Sequence, residues 1–565
     1  MSSGVKKIFS NKFYFLGILL TIAVLIRIFF LRFEYAVGWD EVNYLKLGAS
    51  GAIHRLNHVL HPYWSPLYPF FVALFGKMIS NYELAGRLVS ICFGTILIIP
   101  VYLFAEKYLS KKVAWFCSLL IAFFPMLIES SISALTESLY IFMAITGTVL
   151  GFLTLQKKSI LLAVVTGGLF SLAYLTRPEG FGFLIVFVGL AAPVLIYQII
   201  KSHEYRLIFI LLGTIVSFLI ISSPYLYYLH QVTGKWTISS KGTTNMQGSI
   251  TAMENKGKKL NPWLLLNEDN THLPDDEIYH TGEFLKYYQQ GNEVNDNHTD
   301  QKAVKITVFL ILKKFVKNFF DVITNGVSQV LSLPLLMLAV LGLFGKSWDC
   351  ERIWWELYLL SYVIFFWILV IPMFHVTERY MLQMVPIVLI WSGQGIERLL
   401  EWIQQTFLAF QIFWNQRILL ALKTILVFIL VGSFFIPGLT RMIMKNPFSS
   451  EKWVEPIEQK KAGFWLKDHC TQTPIIMAWN QAISFYAGNY NIKQTISIPR
   501  NDLDRVLDYA RNRGAKYLAL NEKNKDDFPT INYLLDESHS PPDLKLIYKD
   551  DSIDGLKTLI YEILD

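Results

Sequence analysis

Asp40 and Glu41 stand side by side in GWDEVNYL, just past an apolar run that ends near residue 31. Adjacent carboxylates beside a membrane surface suit general-base or metal chemistry, because low dielectric and a like-charged neighbour both alter proton affinity. His54, His58, His61, Tyr63 and Trp64 follow, then the Pro-rich SPLYP. These histidines have no partner spacing of the kind a closed metal site needs, and read as interfacial side chains. More ionisable residues recur at the ends of apolar segments: Arg27, Arg87, Glu129, Glu137, Arg177 and Glu179 in TRPEG, and His375, Glu378 and Arg379 in HVTERY. Charges inside apolar spans are costly and usually line a cavity or a substrate path. Carboxylates grouped with arginines at one membrane depth are what a phosphate-bearing lipid and a proton acceptor would require. Structural alternatives stand beside each: Arg27 snorkelling to headgroups, Glu137 as an ion-pair partner, Arg177 as a turn anchor.

The elements that must position these residues are membrane helices. The chain has 565 residues, 53% hydrophobic and 17% charged. Apolar runs near the length of ~20 residues that crosses a bilayer recur throughout. The fold class is therefore a polytopic α-helical membrane protein with about 11 transmembrane helices, at roughly 13–31, 84–104, 113–128, 134–155, 160–175, 181–200, 207–228, 327–345, 356–373, 380–397 and 418–437. The net charge of +7 says little about nucleic acid, since the basic residues fall in short inter-helix loops rather than along one face, and no nucleic-acid partner is expected. Lys6, Lys7 and Lys12 precede the first run, no small-residue cleavage site follows, and the first helix reads as retained. Lysines on alternate short connections put the N-terminus in the cytoplasm and the Asp40 loop outside. Cys92, Cys117, Cys350 and Cys470 are scattered, so no disulfide framework or zinc site is implied.

Two outer regions are long. In the loop 32–83, segments at 42–52 and 66–80 read as short interfacial helices. The loop 229–305 is polar and reads as mobile. Segments 303–325 and 402–416 read as amphipathic surface helices. The membrane domain spans 1–438. Residues 440–565 read as a small extracytoplasmic α/β domain, with strands at PIIMAW, after Gly514, at LKLIYKD and at LKTLIYEI, and one helix capped by Asn501 or Asp502. That domain has no GxGxxG, P-loop or metal spacing, so packing or acceptor docking suits it better than catalysis.

GWDEVNYL, SPLYPFFVALF, ELAGRLVS, ALTESLYIFM, AYLTRPEGFGF and ERYMLQMVP, in that order, resemble the GT-C membrane glycosyltransferases that use polyprenyl-phosphate sugars. These are glycosyltransferase family 39, with protein O-mannosyltransferases and lipid A aminoarabinose transferases. The resemblance implies an inverting transfer from a polyprenyl-phosphate-linked sugar to a hydroxyl or amine of a lipid, glycan or protein, outside the cytoplasmic (inner) membrane. It implies Asp40 as the catalytic carboxylate, with Glu41 orienting the acceptor or pairing with Arg27. Arg87, Arg177 and Arg379 are the candidates for the donor phosphate, and Arg27, His61, Tyr63, Glu137 and Glu179 support them. No cofactor and no metal ligands are expected, with a divalent metal as the open alternative. The 229–305 loop is too short and polar for the β-trefoil domain of eukaryotic protein O-mannosyltransferases, which favours a bacterial-type enzyme. The competing readings are another GT-C oligosaccharide transferase or ligase, and a transporter or lipid flippase.

Overall fold

Apolar sequence of bilayer length must satisfy its own backbone polar groups, and here it does so as helices. A computed structural model describes residues 12–202, 205–254, 273, 307–374, 376–409, 416–446, 455–470, 474–539, 541–553 and 555–564. Helix α1 (Lys12–Leu31) leads into the first long loop, which holds α2 (Trp39–Ile53) and α3 (Leu67–Ile79), near the two expected interfacial helices. Then come α4 (Tyr82–Ile96), α5 (Ile98–Tyr108), α6 (Lys111–Phe123), α7 (Pro125–Ile132), α8 (Glu137–Lys157), α9 (Ile160–Thr176), α10 (Phe181–Ser202) and α11 (Arg206–Thr233). Short polar side chains set several starts: Asn81, Ser110 and Ser159 each accept a backbone N–H in the first turn of α4, α6 and α9.

Part of the loop expected to be mobile is helical: α12 covers Ser240–Glu254, while 255–272 and 274–306 lie outside the described residues. The second half of the membrane domain holds α13 (Val308–Asp321), α14 (Val327–Val330), α15 (Leu333–Phe344), α16 (Cys350–Val363), α17 (Glu378–Met381), α18 (Val385–Ala409) and α19 (Gln416–Ile443). Helix α15 packs on α18 at close range because both supply glycine. A Cβ on Gly342 would sit 1.9 Å from the Trp391 carbonyl, and one on Gly395 1.9 Å from that of Leu338.

Among the described residues, seven helices are long and apolar enough to cross a membrane, or up to nine when each of two bent pairs is one span. The expected count of about eleven is higher because α9, at 17 residues, and α18, which carries Ser392, Gln394, Glu397 and Arg398, fall outside that set. Of the amphipathic segment expected at 303–325, residues 303–306 lie outside the described residues, and the rest, helical from Val308, starts the arm Val308–Val330 of a bent pair, at 104° to the helix after it. The one at 402–416 continues α18 as far as Ala409, and 410–415 lie outside the described residues.

The C-terminal domain holds α20 (Ile457–His469), α21 (Ala482–Tyr486), α22 (Leu503–Asn512) and strands β1 (Ile475–Ala478), β2 (Thr495–Ile496), β3 (Ala515–Asn521), β4 (Leu544–Asp550) and β5 (Thr558–Ile563). The sheet order is β2-β1-β3-β5-β4, parallel on the β2 side of β3 and antiparallel beyond it. Asp502 caps α22 by accepting the Arg505 N–H at 3.0 Å, and Gly514 ends that turn at φ +70°. The domain has apolar clusters of its own, yet Ala482, Phe485, Tyr486 and Ile492 join the core of the membrane domain. This contact positions the site.

Candidate active site

The irregular segment 34–38 delivers the chain to Asp40, and its backbone polar groups need partners. The C-terminal domain supplies four of them. Glu455 Oε2 accepts the N–H of Tyr35 at 2.7 Å and of Ala36 at 2.9 Å, and the Val37 N–H donates to the Tyr486 hydroxyl at 2.9 Å. Lys460 Nζ donates to the Tyr35 carbonyl at 2.7 Å and also meets Glu83 at 3.2 Å. From the other side Arg87 donates to the carbonyls of Glu34, at 2.8 Å, and Ala36, at 3.3 Å, and pairs with Glu83 at 3.0 Å.

The two neighbouring carboxylates then part. Glu41, at the third position of α2, reaches back to the Gly38 N–H and accepts the Ala134 N–H at 2.6 Å. It is buried, and burial raises its pKa against the pull of Arg87 and those two N–H groups. Asp40 is half-buried, with 30% of its side chain exposed, and pairs with Arg379 at 2.9 Å. Burial is the largest influence on Asp40 and favours the neutral acid, but Arg379, Lys241 and Arg177 together outweigh it and lower its pKa.

Arg379 begins a row of alternating charge. Its Nε meets Glu137 Oε1 at 2.8 Å, the same oxygen accepts from Arg177 at 2.9 Å, and Arg177 also reaches Glu179 at 3.4 Å. The Arg177 guanidinium lies 5.0 Å from the ring centre of Tyr380 and 5.6 Å from that of Tyr140. Glu137 starts α8, Arg177 ends α9 and Arg379 lies in α17, so three separate helix ends build the row. On another side of Asp40, Lys241 from α12 lies 4.5 Å from the ring centre of Trp64 and 5.2 Å from that of Tyr63. Burial foremost, with Arg177 and Arg379, lowers the Lys241 pKa against the pull of Asp40. The Tyr63 hydroxyl donates to Asn245 in α12 at 3.0 Å, which ties that helix to the first long loop.

A cavity of about 380 Å³ opens on Asp40, Arg379 and Glu41 and extends to Lys445, Glu455, Trp479 and Asn480. A second hollow, within the C-terminal domain, offers only about 20 Å³, little more than the space of one water. The Asp40 cavity is of the size that small-molecule groups occupy.

Of the residues expected at the site, Asp40, Arg379, Glu137, Arg177 and Glu179 come together. Tyr63 lies against Lys241, and four do not join them. Arg87 is taken up by the 34–36 carbonyls and Glu83, behind the loop rather than at the cavity. Arg27 neither snorkels nor pairs with Glu41. It is fully buried and donates to the carbonyls of Ala23, Gly94 and Ala122 at 3.1–3.3 Å. His61 is buried, and its Nδ1 accepts the N–H groups of Tyr63, at 3.1 Å, and Trp64, at 3.2 Å. Glu41 is committed to backbone. His375 lies outside the described residues. Sequence reasoning missed Lys241 and Glu455, since a lone lysine in a polar stretch and a lone glutamate before a helix carry no spacing signal. Among the described residues no group of three or more His, Cys, Asp or Glu is placed to hold a metal ion.

A helical membrane domain, a long first loop bearing an acidic residue, and a C-terminal α/β domain make up an architecture like that of the GT-C fold. The dolichyl-phosphate-mannose-protein mannosyltransferase family matches residues 61–228, a range that holds Glu137 and Arg177 and leaves out Asp40 and Arg379. Among solved structures, ArnT from Cupriavidus metallidurans in the apo state is 13% identical, with 97% of both chains covered and a TM-score of 0.55. The same protein bound to undecaprenyl phosphate is 12% identical, with 98% of both chains covered and a TM-score of 0.55. The archaeal oligosaccharyltransferase AglB from Archaeoglobus fulgidus, in complex with an inhibitory peptide and a dolichol-phosphate, is 10% identical. The match covers 91% of this chain and 70% of AglB, with a TM-score of 0.51. At such identities the likeness is one of fold. No curated protein matches the sequence.

Proposed function

We propose that this protein is an inverting glycosyltransferase that moves a sugar from a polyprenyl-phosphate donor to a hydroxyl or amine on the outer face of the cytoplasmic membrane. The observation that carries the reading is Asp40, ionised and half-buried, at the head of the Arg379–Glu137–Arg177 row and open to a cavity. The undecaprenyl phosphate and dolichol-phosphate bound by the two GT-C neighbours support the donor class. The N-terminus is cytoplasmic and the C-terminal domain outside, on the distribution of lysines among the short loops.

In this reaction Asp40 accepts the proton of the acceptor as its oxygen or nitrogen forms a bond to the anomeric carbon. The bond from that carbon to the phosphate oxygen breaks, and its electron pair leaves with polyprenyl phosphate. Charge therefore grows on phosphate, where Arg379 and Lys241 flank Asp40 and meet it. Arg177 and Glu137 hold Arg379 in place. Glu41 acts by fixing the start of α2 and has no part in proton transfer.

The test is mass spectrometry of envelope glycolipids, polysaccharides and glycoproteins from a deletion strain restored with the wild-type gene or with Asp40→Asn at equal membrane abundance. One sugar-sized mass should vanish on deletion and return only with the wild type. General-base assistance is worth about 10²–10⁴-fold, so the Asn enzyme should fall by that factor. Equal restoration by Asp40→Asn would remove Asp40 as the base.

A further inference from the structure

The end of the helical domain far from Asp40 holds another polar hollow. Helices α4 and α5 form one span of 27 residues, Tyr82–Tyr108, about 40 Å long at 1.5 Å per residue. Glu83, near its start, meets Arg87 and Lys460 beside the segment that leads to Asp40. Tyr108, at its end, lines a hollow of about 150 Å³ with Lys346 before α16, Glu351 in the first turn of α16, and Gln394, Glu397 and Arg398 of α18. Part of the lining is committed. Arg352 donates to Glu356 and to the carbonyls of Gly342, Leu343 and Lys346 at 2.8–3.0 Å, and Asp349 caps α16 by accepting the N–H groups of Glu351 and Arg352. Arg398 Nη1 pairs with Glu401, and Glu397 accepts the Ser110 hydroxyl at 3.0 Å. The remainder is unsatisfied. Gln394 is 2% exposed, and its amide oxygen and the Arg398 Nε are buried with no hydrogen-bond partner among the described residues. Lys346 and Glu351 are exposed and take part in no ion pair among them. Buried donors and acceptors left unmade are costly, and an occupant that completes them is favoured.

We infer that this hollow binds the headgroup of a phospholipid that carries a primary amine, with its phosphate on Lys346 and the Arg398 Nε and its ammonium on Gln394 and Glu351. The open groups are of both kinds, cationic donors and acceptors, so a zwitterion satisfies them where an anion alone leaves the acceptors unmet. The surroundings separate a lipid from a soluble ion. Phe344, two residues before Lys346, Trp354, three after Glu351, and Leu103 on α5 are all exposed, as side chains against acyl chains and the membrane interface are. Phe344 also stacks on Trp348, with ring centres 6.0 Å apart. Charge in the hollow with hydrocarbon contact beside it fits an amphiphile, and a free phosphate or amine would use none of the apolar surface. The site shares no residue with the Asp40 row, so the inference stands apart from the glycosyl-transfer reading. The lipid closes a junction of α5, α16 and α18 whose polar groups the protein leaves open.

The experiment is native mass spectrometry of the purified, delipidated full chain in detergent. It is titrated separately with phosphatidylethanolamine, phosphatidylcholine, phosphatidylglycerol and soluble phosphoethanolamine. One phosphatidylethanolamine should bind about tenfold more tightly than any of the other three. Lys346→Gln removes a charge-assisted hydrogen bond to the phosphate, and Gln394→Leu removes an acceptor for the ammonium. Each should weaken that binding about tenfold. Leucine keeps the volume of the amide it replaces, so the melting temperature without added lipid should not fall. Should Gln394→Leu fail to fold, Lys346→Gln, at an exposed side chain, still decides the matter. Equal binding of phosphatidylcholine, whose ammonium has no N–H, overturns the inference, as does equal binding of phosphatidylglycerol, which has no amine. Soluble phosphoethanolamine held as tightly as the lipid overturns the lipid assignment. Binding of phosphatidylethanolamine unchanged by Lys346→Gln places the lipid elsewhere, and absence of any one-to-one complex leaves the hollow to water; both overturn the inference.

Discussion

At Asp40 two opposed influences meet, and their balance sets the pH range in which the residue can take a proton. Burial pushes toward the neutral acid, while Arg379, Lys241 and Arg177 pull harder toward the anion. A lowered pKa keeps the proposed base ionised as the medium becomes acidic, so activity should hold level from neutral pH through the ordinary carboxylate range and fall only below it. Replacing Arg379 by Gln removes the foremost of these cations. The acid limb of the rate profile should then move to higher pH, and the maximal rate should drop, which a pH series on purified protein in lipid would measure. An acid limb unmoved by Arg379→Gln would mean that the ion pair does not tune Asp40. Glu41 behaves differently although it is the next residue, because both of its oxygens serve backbone N–H groups. Its loss to Ala should lower protein stability by about 1–3 kcal/mol, the cost of unpaired buried donors, whereas Asp40→Asn should leave the melting temperature nearly unchanged.

Helix α2 carries Asp40, and the segment before it is held by side chains more than four hundred residues later in the chain. Glu455 is the centre of that clamp, with two backbone N–H groups on one oxygen and Lys445 beside it. Glu455→Ala should leave both donors unsatisfied at a cost of about 1–3 kcal/mol each, raise hydrogen exchange at residues 35–37, and reduce transfer without touching the reacting atoms. Glu455→Gln keeps an acceptor oxygen and should keep most of the protection. Equal protection in Glu455→Ala would show that Arg87 and Lys460 hold the segment alone.

Across the whole molecule, Lys46 shows how the two domains are joined. It lies on α2, fully buried, and donates to the hydroxyls of Ser484, at 3.1 Å, and Thr495, at 2.7 Å, in the C-terminal domain. Among the described residues no carboxylate pairs with it, and burial lowers its pKa from 10.5 to about 7. Because the docked state prefers the neutral amine, docking is strongest above pH 10.5 and weakens as pH falls toward about 7, with little further change below. Lys46→Met should flatten that dependence and strengthen docking near neutral pH by about 1–3 kcal/mol. Thermal unfolding and limited proteolysis across pH 6–11 would read it. A wild-type profile with no slope between pH 7 and 10 would contradict a lysine buried at this contact.

The membrane class, most helix positions, both short helices of the first long loop and every strand of the C-terminal domain except β2 were legible in the sequence. They follow from local causes, namely apolar run length, residue period, a capping Asp502 and a terminating Gly514. The pair Asp40 and Glu41 stood out by its place after a membrane helix, and only the family resemblance singled out Asp40. What tertiary structure alone decided is which charges meet. Arg87 and Arg379 look alike in the sequence, each at the end of an apolar segment, yet one holds carbonyls behind the loop and the other meets Asp40. Lys241 and Glu455 carry no pattern, because their roles depend on neighbours far along the chain. Periodicity records which face a residue takes. An ion pair or a clamped backbone depends on how helix ends and a distant domain pack together, and a single sequence does not encode that locally.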